Sequence, residues 1–512
     1  MIVEDFGALP AQVDLLIIGG GVTGAGIARE AARLPIRSLL VEAGDFASGT
    51  SSMSSKLVHG GLRYLKTGEW RLTLESVRER QRLLAEAPGL VERQGFVMPL
   101  YEGVKPWRGT MQFGLGLYDL MAGQRNARFV TAAQALQRAP DLDPQGLIGA
   151  MCYDDARTDD ARLVLRLLRL AREGGVQLRN YTRVSALQRT QGRVSGVTVS
   201  DTLSGQQRNV QAKMVINATG AWADRLGGEA PPLRPLRGSH FLFPFWRFPL
   251  AQAVSWLHPE DQRPIFAYPW EGTTLYGTTD LDQPAGSDFS SLRMSVQESE
   301  YLIRGLQARF PKLALQPSDA ISQMTGVRPI VAEAQGTPSA ASRESALWSE
   351  PGLVGITGGK LTTFRVAARE VLQRAAEQWP ALAPATDAPI FDPMPPAQTQ
   401  ADRRLAGRLG AHLAAYRAQT PVQEQQAIPG QPYEWAELRW ALRHEGVVHL
   451  TDLMLRRTRL GVVCAGGGLH LLERLRVLCA EERGWDAGRW AQESADYERC
   501  WRERHAPVEQ AA

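Results

Sequence analysis

The sequence predicts an α/β fold in which a parallel, doubly wound sheet is interleaved with an antiparallel sheet and followed by an all-α domain. Three observations carry that reading. Val13 to Ile18 is a short apolar run ending at a glycine cluster, as a buried parallel strand does, and Ser38 to Val41 repeats the pattern after an Ala-rich stretch. From Leu233 to Asp280 short runs rich in Phe, Trp, Tyr and Thr alternate with turn residues, the mark of antiparallel strands. Beyond Ala401 the apolar spacing is helical, with Trp435, Leu438, Trp440 and Leu442 setting a stripe.

With 512 residues, two or three folded units are expected. Hydrophobic residues at 44% and charged residues at 22% are those of an ordinary globular protein. Fifty-eight basic against 54 acidic residues leave +4, too little to argue for a nucleic-acid partner. Cys152, Cys464, Cys479 and Cys500 are scattered, with neither metal spacing nor a disulfide framework, which fits a reducing compartment and no metal. The acidic N-terminus lacks the apolar core of a secretory signal. No segment approaches 18 uninterrupted apolar residues, so no transmembrane helix is expected. The expected location is cytoplasmic, or peripheral on the inner face of the cell membrane.

The first strand leads into Gly19, Gly21 and Gly24, a G-x-G-x-x-G spacing, with Gly26 as a further small residue. A helix should start within this loop and run to about Arg33, before Pro35. Glu42 closes the second strand, about 20 residues on. Glycines let the backbone approach a pyrophosphate, the helix start supplies free N–H groups, and a terminal carboxylate can hold ribose hydroxyls. This is a dinucleotide-binding unit of Rossmann type, and the fingerprint alone does not separate FAD from a nicotinamide cofactor. The hydroxyl-rich run Thr50, Ser51, Ser52, Ser54, Ser55 and Lys56 suits the phosphate and ribityl end of a flavin.

Further along, Trp70 to Glu86 reads as a helix ended by Pro88-Gly89, and Gly95 to Leu100 as a strand. Lys105 to Arg128 crowds Trp107, Met111, Phe113, Leu115, Leu117, Tyr118, Leu120 and Met121 between basic ends, the composition of an interfacial helix or of a core helix. Asp159-Asp160 cap a helix from Ala161 to Ala171. Val184 to Leu187, Val194 to Ser200 and Arg208 to Ala212 form a small meander, and Met214 to Ile216 returns to the main sheet before a turn over Asn217 to Trp222. Ser295 to Phe310 is a helix. Arg328 sits in a stiff turn before Pro329 and Arg343 in a polar loop. Leu353 to Ile356 is the last buried strand, and Gly358-Gly359 opens a helix running through Trp379. A Pro- and Ala-rich linker follows, and Gly466-Gly467-Gly468 reads as a helix break.

Several motifs together resemble one known family: TSSMSSKLVHGGLRYL at 50–65, DDARLVL at 159–165, NATGAW at 217–222, GTTD at 277–280, GVRP at 326–329, GGKLTTFR at 358–365, and RWALRHEGVVHLTDLMLRRTRLG at 439–461. In that order they are similar to the FAD-dependent, quinone-linked (aerobic-type) glycerol-3-phosphate dehydrogenases, over nearly the whole chain. The resemblance implies a Rossmann-type FAD-binding domain with an antiparallel-sheet substrate domain (DAAO/GR2-like) and an all-α C-terminal domain. Residues 1–380 would form the oxidoreductase region, with FAD-binding parts at about 12–70, 155–230 and 350–380 and substrate-binding parts at about 71–154 and 231–349. Residues 381–400 would be linker and 401–512 the helical domain.

It further implies oxidation of sn-glycerol 3-phosphate to dihydroxyacetone phosphate by hydride transfer to non-covalent FAD. Electrons would pass to membrane quinone from a peripheral enzyme, and a homodimer is compatible. The alternative is an FAD-dependent oxidase of the glycerol-3-phosphate or amino-acid type; the chain lacks the long insertion of the former. His59, with an ordinary pKa of about 6.5, suits a base near neutrality. By resemblance His59 and Arg328 are catalytic, and Arg63, Tyr64, Arg343 and Lys360 contact substrate, since guanidinium and ammonium groups suit a phosphate. The cofactor contacts implied are Gly19, Gly21, Val22, Thr23, Gly24, Glu42, Thr50, Ser51, Ser52, Lys56, Leu57, His59, Gly61, Val184, Ala218, Thr219, Gly220, Gly359, Leu361 and Thr362.

Overall fold

The computed structural model describes residues 5–62, 68–105, 107–227, 229–284, 286–289, 291–332, 345–384, 387–397 and 399–508. Arg63, Tyr64 and Arg343, three of the expected substrate contacts, lie outside them.

The first sheet is built on parallel strands. Gln12–Ile18 pairs on one side with Ser38–Val41 and on the other with Gln207–Asn217. Gln177–Arg179 extends one edge and Leu353–Gly358 the other, where Ser345–Glu350 adds an antiparallel strand. Strands buried on both faces can be continuously apolar. Leu15 and Ile17 pack with the helices Val22–Ala31, Asp160–Glu173 and Phe364–Ala376, whereas Leu16 and Ile18 pack with the meander Thr182–Thr190 and Arg193–Asp201. The meander's third strand and the return strand are one element. Gln207–Asn217 pairs antiparallel through its first half and parallel through its second, and the exposed Lys213 interrupts its apolar pattern without interrupting the strand.

The second sheet runs in the order Leu281–Asp282, Leu233–Pro244, Thr273–Gly277, Pro264–Trp270, Ala253–Leu257, Val91–Tyr101, Leu147–Thr158 and Leu57–Val58. Ser322–Val331 pairs with Leu233–Pro244, and Arg128–Thr131 with Leu147–Thr158. Because Leu57–Val58 belongs to this sheet, the loop leaving the glycine-rich unit crosses directly from one sheet to the other.

Helix limits follow local chemistry. The Asp159 carboxylate accepts from the Arg162 amide at 3.3 Å and starts Asp160–Glu173. Ser295 and Glu298 form a reciprocal capping box for Val296–Gln307. Two expectations are corrected. Arg328 lies inside a strand opposite Leu236, not in a turn; Pro329 is tolerated because Ser322–Val331 pairs on one side only. The helix expected from Gly358-Gly359 begins at Phe364 and ends at Ala376, because both glycines adopt left-handed φ values of 77° and 79°.

The linker is fastened down. Ile390 and Phe391 are buried in the core, the Ile390 carbonyl accepts from Arg29 Nε at 2.8 Å, and its amide donates to Glu86 Oε2 at 2.6 Å. Beyond it the chain is helical, including Trp435–His444, Leu472–Arg483 and Ala487–Arg504. Gly466, Gly467 and Gly468 all have left-handed φ, forming the expected break, and Gly467 lies against the Trp501 ring. No helix among the described residues is long and apolar enough to cross a membrane.

Candidate active site

The glycine-rich unit makes a cradle with no room for side chains. Gly19 has a φ of 110°, and a Cβ there would lie 2.6 Å from the Ala218 carbonyl oxygen. A Cβ on Gly24 would collide with the Gly19 carbonyl. Gly21 caps Val22–Ala31 without a side chain, leaving the N-terminal backbone open to an anion, while Thr23 is half-buried on the first turn. Ser51 Oγ accepts from the Val22 amide at 2.9 Å. Glu42 accepts from the Gly20 amide at 2.7 Å and the Gly44 amide at 2.9 Å; burial raises its pKa against the pull of these two donors. These features fit the diphosphate and ribose of a dinucleotide.

Three further segments close around the cradle. Thr219 is tied to Asn217 Oδ1 through both its amide and its hydroxyl, and the Gly220 carbonyl accepts from Thr357 at 2.9 Å. Thr50 Oγ1 donates to the Val327 carbonyl at 2.5 Å, which places the hydroxyl loop beside Arg328. Thr362 Oγ1 donates to the His59 carbonyl at 3.1 Å, which places the segment carrying Gly359, Lys360 and Leu361 beside His59. Other expected contacts face inward: Ser52 and Leu57 are buried, and Val184 packs in the core behind the sheet. The Lys56 ammonium binds Asp160 Oδ1 at 2.9 Å and the Ser52 carbonyl at 2.9 Å inside the protein, while its amide donates to Ser54 Oγ at 3.0 Å and its carbonyl accepts from the Thr158 amide at 2.9 Å, so this residue is tied inward. Burial lowers its pKa to about 8 despite Asp160.

His59 is half-buried at the end of Leu57–Val58, ahead of Gly60 and of Gly61 with its φ of 78°. The Gly60 amide donates to Asp155 Oδ1 at 3.0 Å, and a Cβ on Gly60 would strike the Tyr118 hydroxyl. Arg80 and Tyr118 also donate to Asp155, at 2.7 and 3.0 Å, and all three side chains are buried. Arg328 donates to Asp280 Oδ1 at 2.8 Å and to Thr278 Oγ1 at 3.1 Å, which orients its guanidinium. His240, which sequence reading missed, lies beside the hydroxyl loop and Arg328. It is buried with Nε2 2.9 Å from Ser55 Oγ, and burial, Arg328 and Lys56 hold its pKa well below 6.5. Its sequence signal was weak, a lone histidine opening an aromatic strand.

The C-terminal domain reaches the back of this site. Arg457 binds Asp45 at 2.5 and 2.8 Å, and Arg456 pairs with the same carboxylate. Arg459 binds Asp159 at 2.9 Å and also contacts Asp160, the partner of Lys56. Burial raises the Asp45 pKa, but Arg457 and Arg456 outweigh it and bring it down to about 2.

Comparison with known proteins agrees with the fold and with FAD as the dinucleotide. Residues 14–374 match the family described as FAD dependent oxidoreductase, and residues 395–490 match the C-terminal domain of alpha-glycerophosphate oxidase. The aerobic glycerol-3-phosphate dehydrogenase of Bacillus subtilis is 37% identical over 368 residues, covering 70% of this chain and 66% of that protein. That of Staphylococcus haemolyticus is 36% identical over 377 residues, covering 72% and 67%. The crystal structure of the glycerol-3-phosphate dehydrogenase from Bacillus halodurans complexed with FAD superposes with a TM-score of 0.76 at 28% identity, covering 98% of this chain and 97% of that one.

Proposed function

The chain belongs to the FAD-dependent oxidoreductase family, with FAD as its cofactor, and from that premise we propose that it oxidises sn-glycerol 3-phosphate to dihydroxyacetone phosphate and passes the electrons to membrane quinone. The observation that carries the reading is the His59–Gly60 turn, pinned from one side by Thr362 and from the other by Asp155, directly beyond the dinucleotide cradle. A histidine held there can take the proton of a substrate hydroxyl, while the Arg328 guanidinium, braced by Asp280, neutralises charge at the reacting carbon. Bound FAD supplies the hydride acceptor. Lys360, Arg63, Tyr64 and Arg343 are the proposed contacts to the rest of the substrate, the cations toward its phosphate. Anaerobic mixing of the purified holoenzyme with glycerol 3-phosphate should bleach the flavin absorbance; a flavin that stays oxidised overturns the reading.

The quinone acceptor requires access to lipid. Helix Arg108–Ala122 buries Leu115, Tyr118 and Asp119 but leaves Phe113 75% and Leu120 76% exposed, on one face with Gly109 and Gly116. Trp107 is exposed at its start, and Lys105, Arg108, Arg125 and Arg128 are exposed around it. An apolar face ringed by cations suits the headgroup boundary of an anionic membrane, and supports peripheral docking on the inner face of the cell membrane.

A further inference from the structure

Helix Asp160–Glu173 carries Arg162, Arg166, Arg169 and Arg172, spaced four, three and three residues apart. They share one face, where like charges repel. That face closes a cavity of about 40 Å³ between the flavin domain and the C-terminal domain, with Arg408, Trp440 and His444 among its other walls. The cavity exceeds the roughly 10–15 Å³ that admits one water. None of these residues belongs to the dinucleotide cradle.

The charge on the four arginines is incompletely met. Arg162 is bidentate to Glu445 at 2.6 and 2.9 Å. Arg166 and Arg169 share Asp392, and Arg169 also has Glu173 at 3.5 Å. Arg172 donates to the His444 carbonyl at 3.0 Å and has no carboxylate among the described residues. Four guanidiniums therefore face three carboxylates, one of which, Glu173, is also held by His412 at 2.7 Å. Arg162 Nε, Arg169 Nε and His444 Nε2 are buried and have no hydrogen-bond partner among the described residues. Burial lowers the pKa of both imidazoles. Among the charges, Arg169 adds most to that lowering at His412, and Arg172 acts the same way at His444 against the pull of Glu445.

Buried donors with surplus positive charge lack an acceptor of negative charge, and guanidinium forks match tetrahedral oxyanions. We propose that this interdomain cleft is an oxyanion site, taking inorganic phosphate or the phosphate group of a phosphomonoester. The bound anion joins the arginine face to the Trp440–His444 end of helix Trp435–His444 and so fastens the two domains.

The test uses the FAD-loaded enzyme at constant ionic strength, with sodium chloride balancing sodium phosphate. Phosphate should raise the thermal midpoint saturably and slow amide exchange in 160–173 and 435–445 of the wild-type protein. Arg172→Gln should weaken that effect at least tenfold, while competitive inhibition by phosphate at the substrate site stays unchanged. Exchange protection is read on the wild type, so the test survives a variant that folds poorly. No protection at either segment, or an equal midpoint shift in Arg172→Gln, overturns the proposal. Protection by glucose 6-phosphate as well as phosphate assigns the site to monoesters; protection by phosphate alone assigns it to the free anion.

Discussion

Asp155 Oδ1 accepts from the Gly60 amide at 3.0 Å and from Arg80 Nη1 at 2.7 Å, so the turn after His59 hangs on a buried ion pair. Tyr118 completes the group from helix Arg108–Ala122. Tyr118→Phe removes one donor to the carboxylate and should lower stability by about 1–3 kcal/mol in urea unfolding. Asp155→Asn leaves Arg80 without its counter-charge and should cost ~3–5 kcal/mol. An unchanged urea midpoint in both variants would strip Asp155 of its supporting role.

His59→Gln keeps a polar side chain that cannot accept a proton. Flavin reduction by glycerol 3-phosphate, followed by anaerobic stopped flow, should slow by roughly 10²–10⁴. Substrate affinity should change little. A near-normal rate would move proton abstraction to another group.

Phe113 and Leu120 are the most exposed large apolar residues of helix Arg108–Ala122. Replacing both with Ser should release the protein from anionic liposomes and reduce quinone turnover, with dye-linked activity retained. Binding of the wild type should weaken as salt rises, because the ring of cations adds a screened electrostatic component. Parallel loss of both activities would show that the substitutions damage the fold.

Asp45 has a folded pKa of about 2, below its ordinary 3.8. A depressed carboxylate pKa adds stability that is present above the unfolded value and is lost as pH falls through the folded one. Docking of the C-terminal domain should therefore weaken between about pH 4 and pH 2. Asp45→Asn should remove that portion of the acid transition and destabilise the protein at neutral pH by ~3–5 kcal/mol, since Arg456 and Arg457 stay buried. An acid transition with the same midpoint and width in wild type and variant would locate the linkage elsewhere.

Local chemistry made much of the fold legible. The Asp159 cap and the helix Trp70–Glu86 depend on neighbours within a few residues, and the glycine spacing is legible as a local pattern although Gly19 also answers to the distant Ala218 carbonyl. What was hidden depends on distant partners. Nothing near Lys56 announces that its ammonium turns inward to Asp160, 104 residues away, or that Ser55 meets His240 across 185 residues. Arg328 looked like a turn because Gly326 and Pro329 flank it, and only one-sided pairing with Leu233–Pro244 reveals a strand. The outward face of helix Arg108–Ala122 was ambiguous because both its faces are apolar; burial of Leu115 and exposure of Phe113 separate them.

The junction between the flavin domain and the last helices also sets a schedule. Asp45 and its partner Arg456 are 411 residues apart. Translation at about 5–20 residues per second separates their emergence by roughly 20–80 s. Throughout that interval the nascent flavin domain holds Asp45 without the guanidiniums that later neutralise it, and Asp159 waits in the same way for Arg459 once it is made. Its interior is completed only when the final stretch of chain arrives. A ribosome stalled in the linker therefore displays an unfinished surface of unpaired charges of both signs, Asp45 and Arg162 among them, the kind of state on which chaperones and proteases act.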